Sequence, residues 1–176
     1  MIKRFKIVYP LADGTEELRN AYIYLPKGYH KAINKSKRYP VLYMFDGHNV
    51  FFDSDATYGK SWGMKEYKDK TKTQMIIAAV ECNHSPNNGR LSEYSPITFK
   101  NSELGFVPGQ GKATMEWYVN VFKRMIDKHY RTLPDRKHTF IAGSSMGGLM
   151  SVYALMEYNH VFSRAAALSP SLGQHQ

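Results

Sequence analysis

Short apolar runs alternate with segments of helical spacing along this chain, and that alternation limits the folds it can adopt. Four runs are apolar at nearly every position, as is typical of strands buried on both faces; they lie at 41–45, 74–81, 139–142 and 164–168. The pattern also predicts earlier strands at 4–9 and 21–25, and helices at 61–70, 113–130 and 146–158. This order predicts an α/β protein with a mostly parallel sheet flanked by helices.

Composition argues against several classes of protein. The formal charge is +9, but the basic residues are scattered rather than aligned in a stripe. We therefore expect a solvated surface and no nucleic-acid partner. No apolar run approaches the roughly 18 residues of a membrane span, and no signal-peptide core is recognisable, so we expect a cytoplasmic protein without a membrane partner. The single cysteine, Cys82, follows an apolar run and is expected to be buried.

One motif carries chemistry. Gly143-Ser144-Ser145-Met146-Gly147 matches G-x-S-x-G between a predicted strand and a predicted helix. Such a tight turn strains the serine backbone, needs small flanking residues such as Gly143 and Gly147, and presents the hydroxyl at a helix N-terminus that favours negative charge. Ser145 is therefore the predicted nucleophile, and the Met146 amide a predicted oxyanion donor. Ser144 is an adjacent alternative, one position out of register with the glycines.

A second oxyanion donor is expected from the loop after an earlier strand. Asp46-Gly47-His48-Asn49 directly follows the run at 41–45, and Gly47 allows a sharp turn that would direct the His48 amide at the oxyanion. The His48 side chain precedes the serine in the chain, whereas in enzymes with a G-x-S-x-G turn between a strand and a helix the catalytic histidine follows the serine. A histidine that shapes the pocket is therefore favoured over a catalytic base.

Two metal-binding patterns fail on inspection. Asp53-Ser54-Asp55 begins like a calcium loop, but Tyr58 and Met64 occupy the positions that require Gly and Glu. Cys82 and His84 form a pair too isolated in sequence for a zinc site. We therefore expect no metal and no cofactor.

The polar stretch 83–111 has few helix or strand cues and is predicted to be a long loop near the ligand-binding edge of the sheet.

Several segments of the chain together resemble the esterase D-like branch of the α/β-hydrolases, which includes feruloyl esterases, siderophore esterases, S-formylglutathione hydrolases and mycolyltransferases. The resemblance spans nearly the whole chain and rests on YPVLYMFDGHNVF at 39–51, RLSEYSP at 90–96, HYRTLPD at 129–135, GSSMGG at 143–148 and LSPS at 168–171. It implies a Ser-His-Asp hydrolase of small carboxylic esters with Ser145 as nucleophile and the His48 and Met146 amides as oxyanion donors. The candidates for lining its pocket are Asp46, Gly47, Asn49, Arg90 and Tyr94.

The acid and base of such a triad follow the serine in the chain. After Ser145 the sequence offers Glu157, His160 and His175. Glu157 and His160 are predicted at the far end of a helix roughly 18 Å long, and nothing in the sequence orders His175. We therefore expect one incomplete α/β-hydrolase domain, residues 1–176, that lacks the last strands of the fold and has weak or no esterase activity.

Two further expectations follow from an incomplete sheet. A non-catalytic fragment or binding module, which keeps the pocket without the chemistry, is the alternative function. The strand at 164–168 would lack its next neighbour, and an exposed apolar strand edge invites pairing with a second chain. The sequence therefore predicts a possible homo-oligomer.

Overall fold

A computed structural model of the chain describes residues 1–172, with residue 101 described by its backbone alone. Its strands are β1 (Ile2–Pro10), β2 (Glu16–Tyr24), β3 (Val41–Met44), β4 (Ile76–Val80), β5 (Phe99–Asn101), β6 (Gly105–Val107), β7 (Thr139–Ser144) and β8 (Arg164–Leu168). Its α-helices are α1 (Met64–Thr71), α2 (Gly89–Glu93), α3 (Gly111–Trp117), α4 (Arg124–His129) and α5 (Met146–Glu157).

Six of the strands form one sheet in the order β1-β2-β4-β3-β7-β8. The pairs β4–β3, β3–β7 and β7–β8 are parallel, whereas β1–β2 and β2–β4 are antiparallel. The four predicted apolar runs are thus the four parallel strands, and the two early strands extend the sheet on one side. The α/β class and the mostly parallel sheet flanked by helices are confirmed.

The strand β4 is apolar throughout because both of its faces are covered. In β4 the side chains of Ile76, Ala78 and Val80 pack in one core cluster, with helical residues such as Phe122. Ile77 and Ala79 point the other way, into a second cluster. Side chains alternate across a strand, so a strand covered on both sides has no polar position.

The predicted loop 83–111 is wrong in part, since it contains α2 and the hairpin β5–β6. Its polar side chains take internal partners, which the apolar pattern does not reveal. Ser92 and Ser95 each donate a hydroxyl hydrogen bond of 2.6 Å to a backbone carbonyl of this segment. Thr114 donates to the Glu93 carbonyl at 2.8 Å and thereby attaches the segment to α3.

The predicted helix 113–130 is interrupted. A π-helical turn, Tyr118–Lys123, separates α3 from α4. The rings of Trp117, Tyr118 and Phe122 meet there with centroids 5.6–5.7 Å apart. Apolar spacing of three and four residues marks the buried face of a helix but does not distinguish an α turn from a π turn.

A buried ion pair joins α2 to the sheet. Arg19 of β2 and Glu93 of α2 approach to 2.7 Å, and both side chains are 3% exposed. Burial raises the pKa of the Glu93 carboxyl to about 7, and the Arg19 charge opposes that rise. Because α2 also carries Arg90, this contact helps to place Arg90 at the edge of the sheet.

The carboxyl ends of the parallel strands lie at one edge of the sheet. There β3 leads into Asp46, β4 into Cys82, and β7 into Ser145. Ligands bind at this edge in open α/β sheets. Within residues 1–172, no helix is long and apolar enough to cross a membrane.

Candidate active site

Ser145 lies at the turn between β7 and α5. Its φ of 56° and ψ of −120° place a residue with a side chain in a strained backbone conformation. The Ser145 amide donates to the Leu168 carbonyl at 3.0 Å, and its own carbonyl accepts from Leu149 at 3.0 Å. The side chain is exposed, so the turn presents the hydroxyl to solvent.

The flanking glycines make this turn sterically possible. A Cβ on Gly143 would lie 2.5 Å from the backbone of Gly147, closer than carbon atoms approach. A Cβ on Gly147 would lie 3.1 Å from Phe45 and 3.2 Å from the Asp46 carboxylate. The two predicted flanking glycines of the serine turn thus allow β7, α5 and the loop after β3 to approach one another closely.

The loop after β3 is folded tightly against the sheet. Asp46 adopts a left-handed backbone conformation, with φ 55°, and its amide donates to the Tyr94 hydroxyl at 3.2 Å. A Cβ on Gly47 would lie 2.7 Å from the Val80 backbone. Met146 is the first residue of α5, and His48 lies in the 3-10 turn Gly47–Asn49, so both amides stand where backbone N–H groups lack acceptors within the helix.

Arg90 links the loop after β3 to the serine turn. Its guanidinium makes a two-pronged ion pair with Asp46, with nitrogen–oxygen distances of 2.7 and 2.8 Å. One of the same nitrogens lies 3.5 Å from the Ser144 carbonyl. The pair therefore fixes the relative positions of α2, the loop after β3 and the end of β7, and it places a cation beside the site.

These elements enclose a cavity of about 430 Å³ at the carboxyl edge of the sheet. Its walls include five of the predicted residues: Asp46, His48, Asn49, Arg90 and Ser145. The predicted lining residues Gly47 and Tyr94 do not contribute to its walls. Tyr94 is fully buried behind Asp46, and Gly47 packs on the backbone of β4, so both support the wall from behind.

The His48 side chain turns toward the loop after β4. Its Nε2 lies 3.0 Å from the Thr57 hydroxyl, and its ring lies 4.8 Å from the ring of His84. Burial lowers the pKa of His48 below its usual range, which favours the neutral imidazole. His48, Cys82 and His84 each offer a metal-ligating atom, and these three atoms lie within 4.8 Å of one another. The structure thus adds a third candidate ligand, His48, to the pair Cys82 and His84; the absence of a metal site there stays a prediction.

The Ser145 hydroxyl has a different partner from the one that a triad requires. Its Oγ lies 3.1 Å from Oγ of Ser171, a residue that sequence reasoning did not select. Glu157 ends α5, and His160 follows it, exposed, with its ring 6.2 Å from that of Tyr158. A helix of 12 residues is roughly 18 Å long, so both lie far from Ser145. His175 lies outside the described residues.

Sequence reasoning also missed Thr57 and placed His84 in a loop without a role. Both line the cavity, together with Tyr58, whose side chain is almost fully exposed. A signal for His84 was available, because it follows β4 by four residues at the edge where ligands bind. Thr57 and Tyr58 do not lie directly after a strand. They belong to a turn-rich segment, in which the spacing of apolar residues gives no indication of structure.

The mostly parallel sheet flanked by helices, with a strained serine between β7 and α5 at its carboxyl edge, has the arrangement of the α/β-hydrolase fold. Comparison with known proteins gives the family. Residues 13–175 match the family described as "Putative esterase", and the chain belongs to that family.

Two curated relatives and one solved structure illustrate the similarity. The uncharacterized protein YbbA of Bacillus subtilis is 23% identical over 158 residues, which are 87% of this chain and 57% of that protein. An endo-1,4-beta-xylanase/feruloyl esterase of Xylanibacter ruminicola is 24% identical over 162 residues, 90% of this chain and 20% of that protein. The crystal structure of an IroE-like serine hydrolase from Shewanella oneidensis superposes with a TM-score of 0.73 at 21% identity, covering 98% of this chain and 51% of that one. The chain thus spans 57% or less of each of these relatives.

Proposed function

We propose that this chain carries the nucleophile half of a serine carboxylic-ester hydrolase. The observation that carries the proposal is the strained backbone of Ser145, at φ 56°, on the wall of the cavity and at the start of α5. Strained backbone at non-glycine residues clusters at functional sites. Membership in an esterase family supports the same class of reaction.

In the proposed mechanism, Ser145 Oγ attacks the acyl carbon of a small-molecule ester and gives up its hydroxyl proton to water, or to a base from outside residues 1–172; the same proton is returned to the alcohol as it leaves. The oxyanion that forms accepts hydrogen bonds from the Met146 amide, at the start of α5, where the helix favours negative charge, and from the His48 amide in the turn Gly47–Asn49. Loss of the alcohol leaves an acyl-enzyme, which water hydrolyses. An alcohol in place of water would make the reaction an acyl transfer. None of these steps requires a cofactor.

We further propose that the 176 residues on their own turn over esters slowly. Among residues 1–172, the partner found for the Ser145 hydroxyl is another hydroxyl, that of Ser171, rather than an imidazole. General-base catalysis contributes about 10²- to 10⁴-fold to such reactions. The same contact favours the alternative function, a non-catalytic module that retains the pocket. Ligands of either function would be small esters rather than nucleic acid or membrane.

The test is labelling with a fluorophosphonate probe, together with hydrolysis of p-nitrophenyl acetate. We expect slow labelling that is lost in Ser145→Ala and retained in Ser144→Ala, with turnover about 10²- to 10⁴-fold below that of a family member with a complete triad. Fast, Ser145-dependent turnover would show that a base reaches the serine, from His175 or a second chain. Labelling that survives in Ser145→Ala would contradict the assignment of the nucleophile, and no Ser145-dependent labelling would favour the non-catalytic module.

A further inference from the structure

We propose that His48, Cys82 and His84 bind a zinc ion in the wall of the cavity, beside the serine turn. One atom from each side chain can act as a ligand, and the three atoms lie within 4.8 Å of one another. All three residues line the same cavity. This proposal is independent of the esterase chemistry, because it uses side chains that the proposed mechanism leaves unused.

The histidine with the lower exposure already has the hydrogen-bonding pattern of a metal ligand. His48 is 5% exposed, and its Nδ1 is buried and has no hydrogen-bond partner among the described residues. Its Nε2 lies 3.0 Å from the Thr57 hydroxyl. If Nε2 carries the proton and donates it to Thr57, the Nδ1 lone pair is left free to coordinate a metal. Metal-binding histidines are usually oriented by such a second hydrogen bond.

The other two residues come from the loop after β4 and differ in exposure. Cys82 is 2% exposed and lies two residues after the end of β4, where close packing restricts its side chain. His84 is exposed, and its ring packs edge-on against His48 with centroids 4.8 Å apart. An exposed side chain can move the short distance needed to bring three ligand atoms around one ion. The cluster therefore combines two buried ligands, His48 and Cys82, with one exposed ligand, His84, whose side chain can move to complete the site.

The donor set selects the metal. Two imidazoles and one thiolate suit a borderline-soft ion, and zinc with three protein ligands commonly keeps a fourth position for water or substrate. When zinc binds, the Cys82 S–H bond breaks, a zinc–sulfur bond forms and the proton passes to the buffer. The bound ion and thiolate carry a net charge of +1 beside the Asp46 carboxylate, which is close enough to interact with the Cys82 thiol.

The test is titration of the untagged, metal-free chain with Zn²⁺ by calorimetry, and with Co²⁺ by absorption spectroscopy. We expect one equivalent of zinc and a thiolate-to-cobalt charge-transfer band that is lost in Cys82→Ala. Zinc affinity should fall at least about tenfold in His84→Ala, and about tenfold in Thr57→Val, which keeps the shape of the side chain but removes the hydrogen bond to His48.

Two matched variants separate this site from the rest of the molecule. His160→Ala removes another exposed histidine, and Ser145→Ala removes the proposed nucleophile; neither should change zinc affinity. His84→Ala alters an exposed side chain, so it decides the question even if Cys82→Ala does not fold. The proposal is overturned if the chain binds no zinc, or if His84→Ala binds zinc as tightly as the unchanged chain.

Discussion

At the scale of single residues, two strained positions define the site. Ser145 and Asp46 both have positive φ, 56° and 55°, and they follow neighbouring parallel strands. Aspartate adopts the left-handed region more readily than most residues, whereas serine needs a sterically cleared turn. The motif around Ser145 made its position predictable. The conformation of Asp46 was not predictable, because it depends on the buried Tyr94 hydroxyl and on Arg90, which come from a distant segment.

The ion pair of Arg90 with Asp46 is the first feature to test by substitution. The Asp46 side chain is 8% exposed and that of Arg90 is 31% exposed. Arg90→Met leaves a buried carboxylate without its cation, and should lower the free energy of unfolding by about 1–3 kcal/mol. Arg90→Lys should recover only part of this loss, because a lysine cannot make the two-pronged contact. Urea unfolding followed by circular dichroism measures both variants.

A matched control for this prediction is Lys60→Met. Lys60 pairs with Asp53 at 3.1 Å, but both side chains are largely exposed. Solvent screens such a pair, so its loss should change stability little. If Arg90→Met is no more destabilising than Lys60→Met, the Arg90–Asp46 pair does not hold the site together.

At the scale of secondary-structure elements, prediction succeeded where burial is periodic. The parallel strands and α5 lie within a few residues of their predicted bounds, because continuous apolar runs and amphipathic spacing both reflect coverage by neighbours. It failed between 83 and 111, where α2 and the β5–β6 hairpin are stabilised by hydroxyl-to-carbonyl hydrogen bonds. Such contacts depend on the final packing, and they leave no periodic signal in the sequence.

The same contrast, between local patterns and contacts that depend on the final packing, explains what could be predicted about the site. The serine turn is local, so five consecutive residues reveal it. The cluster of His48, Cys82 and His84 joins two loops that are 34 residues apart in sequence and become neighbours only because β3 and β4 pair in parallel. Although β3 and β4 are consecutive strands, motif spacing alone does not show that they pair, or which residues of the loops that follow them meet.

The turn between β7 and α5 provides the prediction at this scale. Gly143→Ala places a Cβ 2.5 Å from the Gly147 backbone, so the strand and the helix must move apart. We expect a loss of about 3 kcal/mol in unfolding free energy, the upper end of ordinary overpacking, because backbone cannot yield as a side chain can. Chemical denaturation gives the value, and fluorophosphonate labelling of the folded protein reports the displacement of Ser145.

The control for this substitution is Gly14→Ala in the turn between β1 and β2. Gly14 has φ 83°, but a Cβ there would meet no atom within 4 Å. Its cost should be only that of a left-handed backbone, about 1 kcal/mol, and labelling at Ser145 should be unaffected. Equal destabilisation by the two variants would mean that the close approach at Gly143 is not what holds the turn.

At the scale of the whole molecule, the two edges of the main sheet differ in character. The outer strand β1 carries exposed Lys3, Arg4 and Lys6 along its length, and charged side chains discourage edge-to-edge pairing. The opposite edge, β8, carries a single charge at Arg164, followed by three alanines and a leucine. Within the described residues, β8 pairs with β7 alone. Within residues 1–172, therefore, the sheet has one edge protected by charged side chains and one edge without such protection.

This asymmetry predicts that the 176-residue chain self-associates through β8. Leu168 is 47% exposed at the end of that strand, and Leu172 just beyond it is 61% exposed. A second copy pairing with β8 would cover both leucines and satisfy the outer backbone groups of the strand.

Sedimentation velocity over a range of concentrations should show a monomer–dimer equilibrium. Ala166→Lys, at an exposed position in the middle of β8, should shift that equilibrium toward monomer, because two copies of the added charge would meet at the interface. Ile33→Lys adds the same charge at a side chain that is 88% exposed and distant from β8 in sequence, and should leave association unchanged. A chain that stays monomeric at every concentration, or equal effects of the two lysines, would show that this edge is not an interface.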